Sequence, residues 1–269
     1  MPGFGTISAQ QLSRLIGTPD CPTLIDVRTD EDFAADPYLI PTARRIAHDR
    51  VADLTTAIGA LGAVVICQKG KKLSEGAAAL LRAAGIAAQV LEGGWLAWRD
   101  AGLPALPAAL LPPPGHASLW VTRHRPKIDR IACPWLIRRF IDPAARFLFV
   151  APAEVAGVAE YFAATAFDIE GFTYSHRGDL CSFDALSEDF GLRTEALDRL
   201  ALVVRGADTD RHDLAPQAAG LLAISVGLSR QYRDDVEQLE AGMVLYDALY
   251  RWARDGFDEG HDWPAGRSQ

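Results

Sequence analysis

A cysteine, Cys67, ends a short apolar run and is followed at once by a basic loop and a helical pattern, in the segment AVVICQKGKKLSEGAAALLRAAG at residues 63–85. Gly70 lets this loop curl without a Cβ clash. Three lysines lie in the loop: Lys69, Lys71 and Lys72. Converging backbone N–H groups, the helix dipole and this positive charge favour an anion and lower the pKa of a thiol. The pattern therefore predicts a nucleophilic thiolate that attacks an anionic substrate, with the loop stabilising negative charge on the adduct.

The same residues have a second interpretation. Cys67 would then be a buried structural cysteine at the end of a strand, and the lysines would form a solvated loop. The order of strand, cysteine, loop and helix favours the nucleophile, because the carboxyl ends of parallel strands are where α/β sheets bind ligands.

A second basic stretch is VTRHRPKIDRIACPWLIRRFID, at residues 121–142. Proline suits the first turn of a helix, so Pro134 predicts that Cys133 lies near a helix N-cap, where the dipole would acidify its thiol. With Arg130 and Arg138 nearby, the stretch could bind an oxyanion. The alternative is that its apolar residues are core and its arginines form a solvated face; both interpretations stay open.

A third cluster lies in FDIEGFTYSHRGDLCSFD, at residues 167–184, and contains His176 and Cys181. Asp208, in RGADTDRHD, could join them from another part of the chain. Imidazole, thiolate and carboxylate are ligands of transition metals, so we predict a possible metal site from these three residues. A hydrogen-bonded polar loop is the alternative.

A proline-rich segment divides the chain. Residues 104–115 contain five prolines in twelve residues, which predicts a stiff, extended linker. We therefore predict one domain at 1–103, a linker at 104–117 and a second domain at 118–269. Strand and helix patterns alternate in the first half, which predicts an α/β domain with a mostly parallel sheet. The second half reads as mainly helical with minor β content.

Local signals predict where several elements begin and end. Ser8 and Gln11 form a capping-box pattern for a first helix. Ser74 is the predicted N-cap of the helix after the basic loop, and Gly85 lies just past its end. The segment VADLTTAIGALG, at residues 51–62, also reads as helical.

Composition limits the partners and the compartment. The chain has 269 residues and a net charge of -8, which argues against general nucleic-acid binding. We find no apolar run long enough to cross a membrane and no signal-peptide pattern at the start. The four cysteines form no CxxC pair, so free thiols in a cytoplasmic protein are expected.

The first half resembles the rhodanese (sulfurtransferase) domain family. The likeness covers residues 5 to about 103 and is carried by four segments: TLIDVRTDEDF, LIPTARRI, CQKGKKLS and LEGGWLAW. It implies that Cys67 carries a persulfide during sulfur transfer, without a required cofactor. It also implies that the loop amides cradle the sulfur or its anionic donor; the residues concerned are Gln68, Lys69, Gly70, Lys71 and Lys72. Asp26 and Arg28 would buttress the fold near the site.

The six-residue loop from Cys67 to Lys72 resembles that of sulfurtransferases, and related phosphatases and arsenate reductases have one residue more.

The second half is similar to the C-terminal domain of the chromate-resistance regulator family often called ChrB. Four segments over residues 118–263 carry the likeness: WVTRHRPKIDRIACPWLIRRFID, FDIEGFTYSHRGDLCSFD, LALVVRGADTD and VLYDALY. The resemblance implies a part in the bacterial response to chromate. Regulators of that family carry a DNA-binding N-terminal region, whose place a rhodanese-like domain takes here, so a transcription factor is not expected.

Three functions follow as hypotheses. The first is a sulfurtransferase that moves sulfur from thiosulfate or a persulfide to a thiol acceptor, linked to a chromate or oxyanion response. The second is a chromate or metal sensor without turnover. The third is a thiol-dependent oxyanion reductase that uses Cys67 with Cys133 or Cys181 as the resolving thiol, which requires the two thiols to meet within disulfide reach. The oligomeric state stays open.

Overall fold

A computed structural model of the protein describes residues 5–113 and 115–260; residues 1–4, 114 and 261–269 lie outside the described part. In the first half, strands and helices alternate as the sequence predicts. In chain order these elements are β1 (Thr6–Ile7), α1 (Ala9–Leu15), β2 (Thr23–Asp26), α2 (Asp30–Ala35), β3 (Tyr38–Leu39), β4 (Arg44–Arg45), a 3-10 helix (His48–Leu54), β5 (Ala63–Ile66), α3 (Lys72–Ala83), β6 (Ala88–Leu91) and α4 (Gly94–Asp100).

The strands of the first half form a parallel sheet in the order β1-β6-β5-β2-β4. Each neighbouring pair in this sheet runs parallel. The central strand β5 is buried along its whole length, which explains why its sequence is an unbroken apolar run. The predicted α/β domain with a parallel sheet is confirmed.

The two faces of this sheet pack into different cores, and Cys67 belongs to only one of them. Val64 and Ile66 of β5 face the larger core, whereas Val65 and Cys67 face a smaller one. This alternation is the two-residue period of a strand. Helix α3 contributes Ala78 to the smaller core, so the Cys67 side chain projects toward the face that α3 covers.

The predicted helix boundaries are partly confirmed. Ser8 and Gln11 form the expected capping box of α1. The prediction of a helix over residues 51–62 is wrong, because a 3-10 helix ends at Leu54 and turns follow. Hydrogen bonds to the residue three positions back maintain the tighter winding: the Thr55 amide and the Thr55 hydroxyl both donate to the Ala52 carbonyl, at 3.3 and 3.0 Å.

The proline-rich segment packs against the first half. Strand β7 (Leu106–Pro107) pairs antiparallel with β3, and a 3-10 helix follows at Ala108–Leu110. The Leu106 side chain is fully buried. The Trp98 indole donates a hydrogen bond to the Pro104 carbonyl at 2.9 Å. The described part of the segment is therefore a docked connection, and the predicted domain boundaries stay a prediction.

The second half is mainly helical with a small sheet, as predicted. Its elements are β8 (Leu119–Arg123), α5 (Asp129–Leu136), a π-helix (Ile137–Ile141), β9 (Arg146–Val150), a 3-10 helix (Pro152–Glu154), α6 (Val155–Phe162), β10 (Thr165–Ala166), α7 (Ser182–Asp189), α8 (Glu195–Asp208), α9 (Ala218–Gln231) and α10 (Asp235–Asp255). The three strands are parallel, in the order β10-β8-β9. Among the described residues no helix is both long and apolar enough to cross a membrane.

The two halves share one hydrophobic core. Leu12 and Trp98 of the first half belong to the same buried cluster as Trp135 and Phe140 of the second. The Thr42 amide donates to the Phe140 carbonyl at 2.9 Å, which fixes the backbones to each other. The halves are therefore packed together by apolar burial rather than joined only by a linker.

A buried ion pair stabilises the first half beside the sheet. Arg28 is almost fully buried, and its Nε donates to Asp26 Oδ2 at 2.8 Å. Its Nη atoms donate to the carbonyls of Asp36 and Tyr38, at 3.1 and 2.5 Å. The guanidinium also lies over the Trp95 ring, 4.5 Å from its centroid. Removing one partner of such a pair leaves the other charge buried without compensation.

We predict that Arg28→Met lowers the free energy of unfolding by about 3–5 kcal/mol, because Asp26 would remain buried and unpaired. Urea denaturation measures this difference. Arg50→Met is the matched control, since Arg50 pairs with Asp53 on the surface, and it should change stability by less than about 0.5 kcal/mol. Equal effects of the two substitutions would contradict the prediction.

Candidate active site

Cys67 lies directly after β5, where the chain leaves the sheet and turns toward α3. This is the carboxyl end of the central part of a parallel sheet, the position at which the sequence predicts a ligand site. The residue is only 5% exposed. A group that reacts with this sulfur must therefore reach it through the loop, which favours a small substrate.

Hydrogen-bonding groups of the loop and of α3 converge on the sulfur. The Lys71 amide donates to Cys67 Sγ at 3.3 Å. The Ser74 hydroxyl lies 3.1 Å from Sγ and also 3.0 Å from the Lys71 carbonyl oxygen. When the thiol ionises, this hydroxyl can donate to the sulfur instead of the carbonyl. The arrangement is suited to a negative charge on Cys67.

These contacts determine the protonation of the thiol. Burial raises the pKa of Cys67, but hydrogen bonds from the Ser74 side chain and from the amides of Lys71, Ser74 and Lys69 outweigh burial, and the pKa lies below its ordinary value. The side chains of the three loop lysines are exposed to solvent. The sequence predicts a lowered pKa for Cys67, and the structure gives hydrogen bonds as the cause of the lowering. The charge of the exposed lysine side chains is not the main cause.

Ser74 is the site residue that sequence reasoning assigned to the wrong role. Helix α3 begins at Lys72 with Lys71 at the N-cap, so Ser74 lies inside the first turn and is fully buried. The prediction of Ser74 as N-cap is wrong, because the loop amides of the preceding residues turn toward the sulfur and start the helix earlier. A hydroxyl seven residues after the cysteine, on the first helical turn, is the signal that could have identified it.

Two glycines allow the loop to contact the start of α4. Gly70 has a φ of +62°, and a Cβ there would lie 2.3 Å from the Leu91 carbonyl oxygen. A Cβ on Gly94 would lie 2.1 Å from the Cys67 carbonyl oxygen. That oxygen accepts a hydrogen bond from the Trp95 amide at 2.9 Å. The loop conformation therefore depends on both glycines.

The other predicted residues of the first half surround this loop. Gln68 is half-buried, and its Oε1 is a buried atom without a hydrogen-bond partner among the described residues. Lys72 is the first residue of α3, and its side chain is exposed. Asp26 pairs in register with Ile66, the residue before Cys67, and it forms the ion pair with Arg28 described above. Asp26 and Arg28 support the sheet behind the loop.

The oxyanion set predicted in the second half is not assembled. Arg130 Nε lies 3.2 Å from Asp168, whereas Arg138 pairs with Glu240 at 2.6 Å. Cys133 is fully buried in the shared core. The two arginines are each paired with a different carboxylate, so they do not form one anion pocket with Cys133.

The predicted N-cap position of Cys133 is wrong. Helix α5 begins at Asp129, after Ile128 at the N-cap, so Cys133 and Pro134 lie inside it. Short hydrogen bonds near the start, such as the Ala132 amide to the Ile128 carbonyl at 2.7 Å, begin the helix one turn earlier than the proline suggests. Burial raises the pKa of Cys133 well above its ordinary value, as do nearby carboxylates such as Asp129. The thiol is not acidified.

Of the three predicted metal ligands, the structure brings two together. His176 Nε2 lies 3.1 Å from Asp208 Oδ2. Asp129 completes a group whose three possible ligand atoms lie within 4.8 Å of one another. Cys181 lies outside this group, at the N-cap of α7, and burial together with the charge of Asp129 raises the pKa of its thiol.

Asp129 is a site residue that the sequence pattern does not single out, because it lies among the arginines of the basic stretch at residues 121–142. Its side chain is fully buried, and Oδ2 accepts a hydrogen bond from the Ser182 amide at 2.6 Å. The nearby Asp168 accepts hydrogen bonds from Arg123 at 2.8 Å and from the Ser182 hydroxyl at 3.0 Å. A carboxylate one residue before Arg130, on the buried side of a helix start, was the available signal.

The acidic groups shift one another's protonation. A hydrogen bond with Asp168 raises the pKa of His176 to about 9, against the effect of burial and with help from the charges of Asp129 and Asp208. Burial raises the pKa of Asp129 well above its ordinary value, and the charges of Asp208 and Asp168 add to that. Burial is also the main reason that the pKa of Asp208 is raised. Burial and mutual repulsion therefore both disfavour the ionised forms of Asp129 and Asp208.

Comparisons with known families match two separate stretches of the chain. Residues 8–101 match the rhodanese-like domain, and residues 120–253 match the C-terminal domain of ChrB. Protein ChrB of Cupriavidus metallidurans is 39% identical over 138 residues, which is 49% of this chain and 39% of that protein. The chain thus matches well under half the length of that curated relative.

Solved structures that are similar to part of this chain include two whose names refer to rhodanese. A rhodanese-like domain protein from Staphylococcus aureus is 29% identical, with a TM-score of 0.32, over 35% of this chain and 91% of that one. A rhodanese-related protein from Thermoplasma volcanium is 22% identical, with a TM-score of 0.33, over 38% of this chain and 98% of that one.

The family matches and the parallel sheet agree on the organisation of the molecule. This chain combines a rhodanese-like domain with a ChrB C-terminal domain. The four cysteines are free thiols. Cys67 packs in the small core under α3, whereas Cys133 and Cys181 are buried in the shared core. This placement does not support the hypothesis of a reductase in which Cys67 forms a disulfide with either of them.

We predict that Ser74→Ala raises the pKa of Cys67, because it removes a hydrogen bond that stabilises the thiolate. Alkylation by iodoacetamide requires the thiolate, so the pH midpoint of Cys67 alkylation should move upward. Mass spectrometry of the Cys67 peptide as a function of pH measures it. Ser13→Ala, which removes a hydroxyl that bonds the Gln10 carbonyl on α1, should leave the midpoint unchanged. The same midpoint in wild type and Ser74→Ala would refute the assigned contact.

We predict that Gly94→Ala destabilises the protein more than Gly85→Ala. Both glycines have positive φ, but a Cβ at Gly85 would meet open space. Gly85→Ala should therefore cost only about 1–2 kcal/mol of conformational strain. Gly94→Ala should cost about 1–3 kcal/mol more, because the Cys67 carbonyl must shift. Chemical denaturation compares the two, and equal costs would show that the loop does not need this close contact.

Proposed function

We propose that this protein is a sulfurtransferase that carries sulfane sulfur on Cys67. The observation that carries the proposal is the environment of the nearly buried Cys67 Sγ, which accepts a hydrogen bond from the Lys71 amide and lies 3.1 Å from the Ser74 hydroxyl. A persulfide would extend one sulfur atom beyond Sγ into the loop. Amides that face the loop interior are suited to the negative charge of that outer sulfur.

The reaction proceeds in two displacements. The Cys67 thiolate attacks the outer sulfur of thiosulfate, a new S–S bond forms, and the S–S bond of thiosulfate breaks as sulfite leaves with its electron pair. A thiolate of an acceptor then attacks the outer sulfur of the Cys67 persulfide. The acceptor leaves as a persulfide, and the Cys67 thiolate is restored. A protein or small-molecule persulfide can replace thiosulfate as the donor, with its thiolate as the leaving group.

The residues of the loop have distinct parts in this scheme. The amides of Lys71 and Ser74 stabilise the thiolate before attack. Lys69, Lys71 and Lys72 present positive charge at the exposed rim, where a donor anion arrives. Gln68 is half-buried in the same loop, and the NH₂ of its side chain is a hydrogen-bond donor of the kind that a bound anion requires. Lysine binds such an anion as a point charge, which accommodates donors of different shape.

We further propose that sulfur transfer serves a response to chromate, on the strength of the second domain's resemblance to ChrB. The two domains share one hydrophobic core, so they are packed against each other rather than joined only by a linker. The four free thiols support a cytoplasmic protein. The net charge of -8 supports a protein that does not have DNA as its partner.

A second candidate function is a metal or chromate sensor without turnover. The observation in its favour is the cluster of Asp129, His176 and Asp208, which lies in the second domain and has no part in sulfur transfer. In that function the Cys67 loop would bind an anion and report on it, and it would not accumulate a persulfide.

Intact mass spectrometry after incubation with thiosulfate distinguishes the two functions. We predict that the wild-type chain gains the mass of one sulfur atom, because Cys67 is a stabilised thiolate. Cys67→Ser should gain nothing and remain folded, since serine preserves the shape of the side chain.

Cys21→Ser is the matched control. Burial raises the pKa of Cys21 to about 11, so that thiol is not expected to react, and the variant should gain one sulfur like the wild type. A gain of sulfur by Cys67→Ser would overturn the assignment of the carrier. A wild-type chain that gains none would favour the sensor.

A further inference from the structure

We propose that Asp129, His176 and Asp208 form a binding site for a divalent cation that takes mixed oxygen and nitrogen ligands. The site lies between the start of α5, the end of α8 and the loop that precedes α7. It is separate from Cys67 and does not depend on sulfur transfer.

The distances suit a single ion. His176 Nε2 lies 3.1 Å from Asp208 Oδ2 and 3.7 Å from Asp129 Oδ2. All three ligand atoms lie within 4.8 Å of one another. An ion that binds nitrogen and oxygen at about 2.0–2.2 Å holds its ligands about 3–4 Å apart. The three side chains need little movement to close on it.

A buried carboxylate oxygen points to the ligand. Asp129 is fully buried, and its Oδ1 has no hydrogen-bond partner in the described part of the chain. A buried polar atom without a partner is costly, and proteins rarely keep one without a function. A cation beside this carboxylate would provide a partner for Oδ1, whereas Oδ2, the oxygen that lies 3.7 Å from His176, already accepts from the Ser182 amide.

The neighbouring positive charges are committed elsewhere. Arg123 and Arg130 both pair with Asp168, at 2.8 and 3.2 Å. For Asp129 and Asp208, the ion-pair partner in the described structure is His176. Three carboxylates therefore surround one imidazole, because Asp168 Oδ1 also lies 3.6 Å from His176 Nε2. Asp168 is the one that the two arginines hold, which makes it a positioning residue.

The ligand set indicates the class of ion. Two carboxylates and one imidazole suit a cation such as Mn²⁺, and the buried thiols of Cys133 and Cys181 lie outside the group of three. The His176 side chain is 41% exposed, so solvent reaches one side of the site. Water or a small anion could occupy the remaining coordination positions from that side.

Electron paramagnetic resonance with Mn²⁺ tests the proposal. The full-length protein, treated with a chelator and exchanged into metal-free buffer, is titrated with Mn²⁺, and the signal of the free ion is recorded. Mn²⁺ has little affinity for thiols, so the four cysteines do not interfere. We expect one Mn²⁺ per chain. His176→Gln and Asp208→Asn should each weaken binding at least about tenfold.

His212→Ala is the matched control, because His212 lies near Asp210 and outside the group of three. It should bind Mn²⁺ like the wild type. Cys67→Ser should also bind normally, which separates this site from the proposed sulfur transfer. His176 is partly exposed, so its glutamine variant is expected to fold, and circular dichroism checks this.

Two results would overturn the proposal. A wild-type protein that leaves the Mn²⁺ signal unchanged would show that the imidazolium of His176 alone balances the carboxylates. Equal binding by wild type, His176→Gln and Asp208→Asn would show an adventitious surface ion only.

Discussion

The hydrogen bonds to the Cys67 sulfur are the interaction on which the first domain's chemistry depends. The sulfur is nearly closed off from water, so ionisation is unfavourable unless protein groups replace the lost solvent. The Lys71 amide and the Ser74 hydroxyl do so, and together with neighbouring amides they outweigh burial. Each surrounding element positions one part of this arrangement: β5 presents the thiol, α3 presents the hydroxyl, and the start of α4 fixes the loop through the Cys67 carbonyl.

The second domain contains a different kind of buried charge, a cluster of carboxylates around His176. In the cluster around His176, the buried carboxylates exceed the positive charge available to them: Asp168 pairs with Arg123 and Arg130, whereas the ion-pair partner of Asp129 and Asp208 is His176. The two halves share one hydrophobic core, in which Trp98 and Trp135 lie in the same cluster, whereas Cys67 packs in the smaller core of the first half. The molecule is therefore better described as two chemical centres within one packed body than as two independent domains on a linker. A link between sulfur chemistry and an oxyanion response would use that shared core.

Local signals in the sequence predicted the parts of the site that are local in the structure. The strand, Cys67, the curled loop and the following helix are contiguous, so their order predicts the α/β context and a thiol whose pKa is lowered. Contacts between distant residues were not predictable in that way. Asp129 meets His176 only after the helices of the second domain pack, and Gly94 contacts Cys67 across the sheet. Serine and proline are common at helix starts, yet Ser74 and Pro134 lie inside helices that begin earlier, at Lys72 and Asp129.

The central claim is that Cys67 is a nucleophile that displaces sulfite. The most direct measurement is the sulfite released in a single turnover, when excess thiosulfate is mixed with the protein in the absence of an acceptor thiol. The account predicts one equivalent of sulfite per chain, released more slowly as the pH falls below the pKa of Cys67. Release of no sulfite, or release that persists when Cys67 is blocked by prior alkylation, would contradict it.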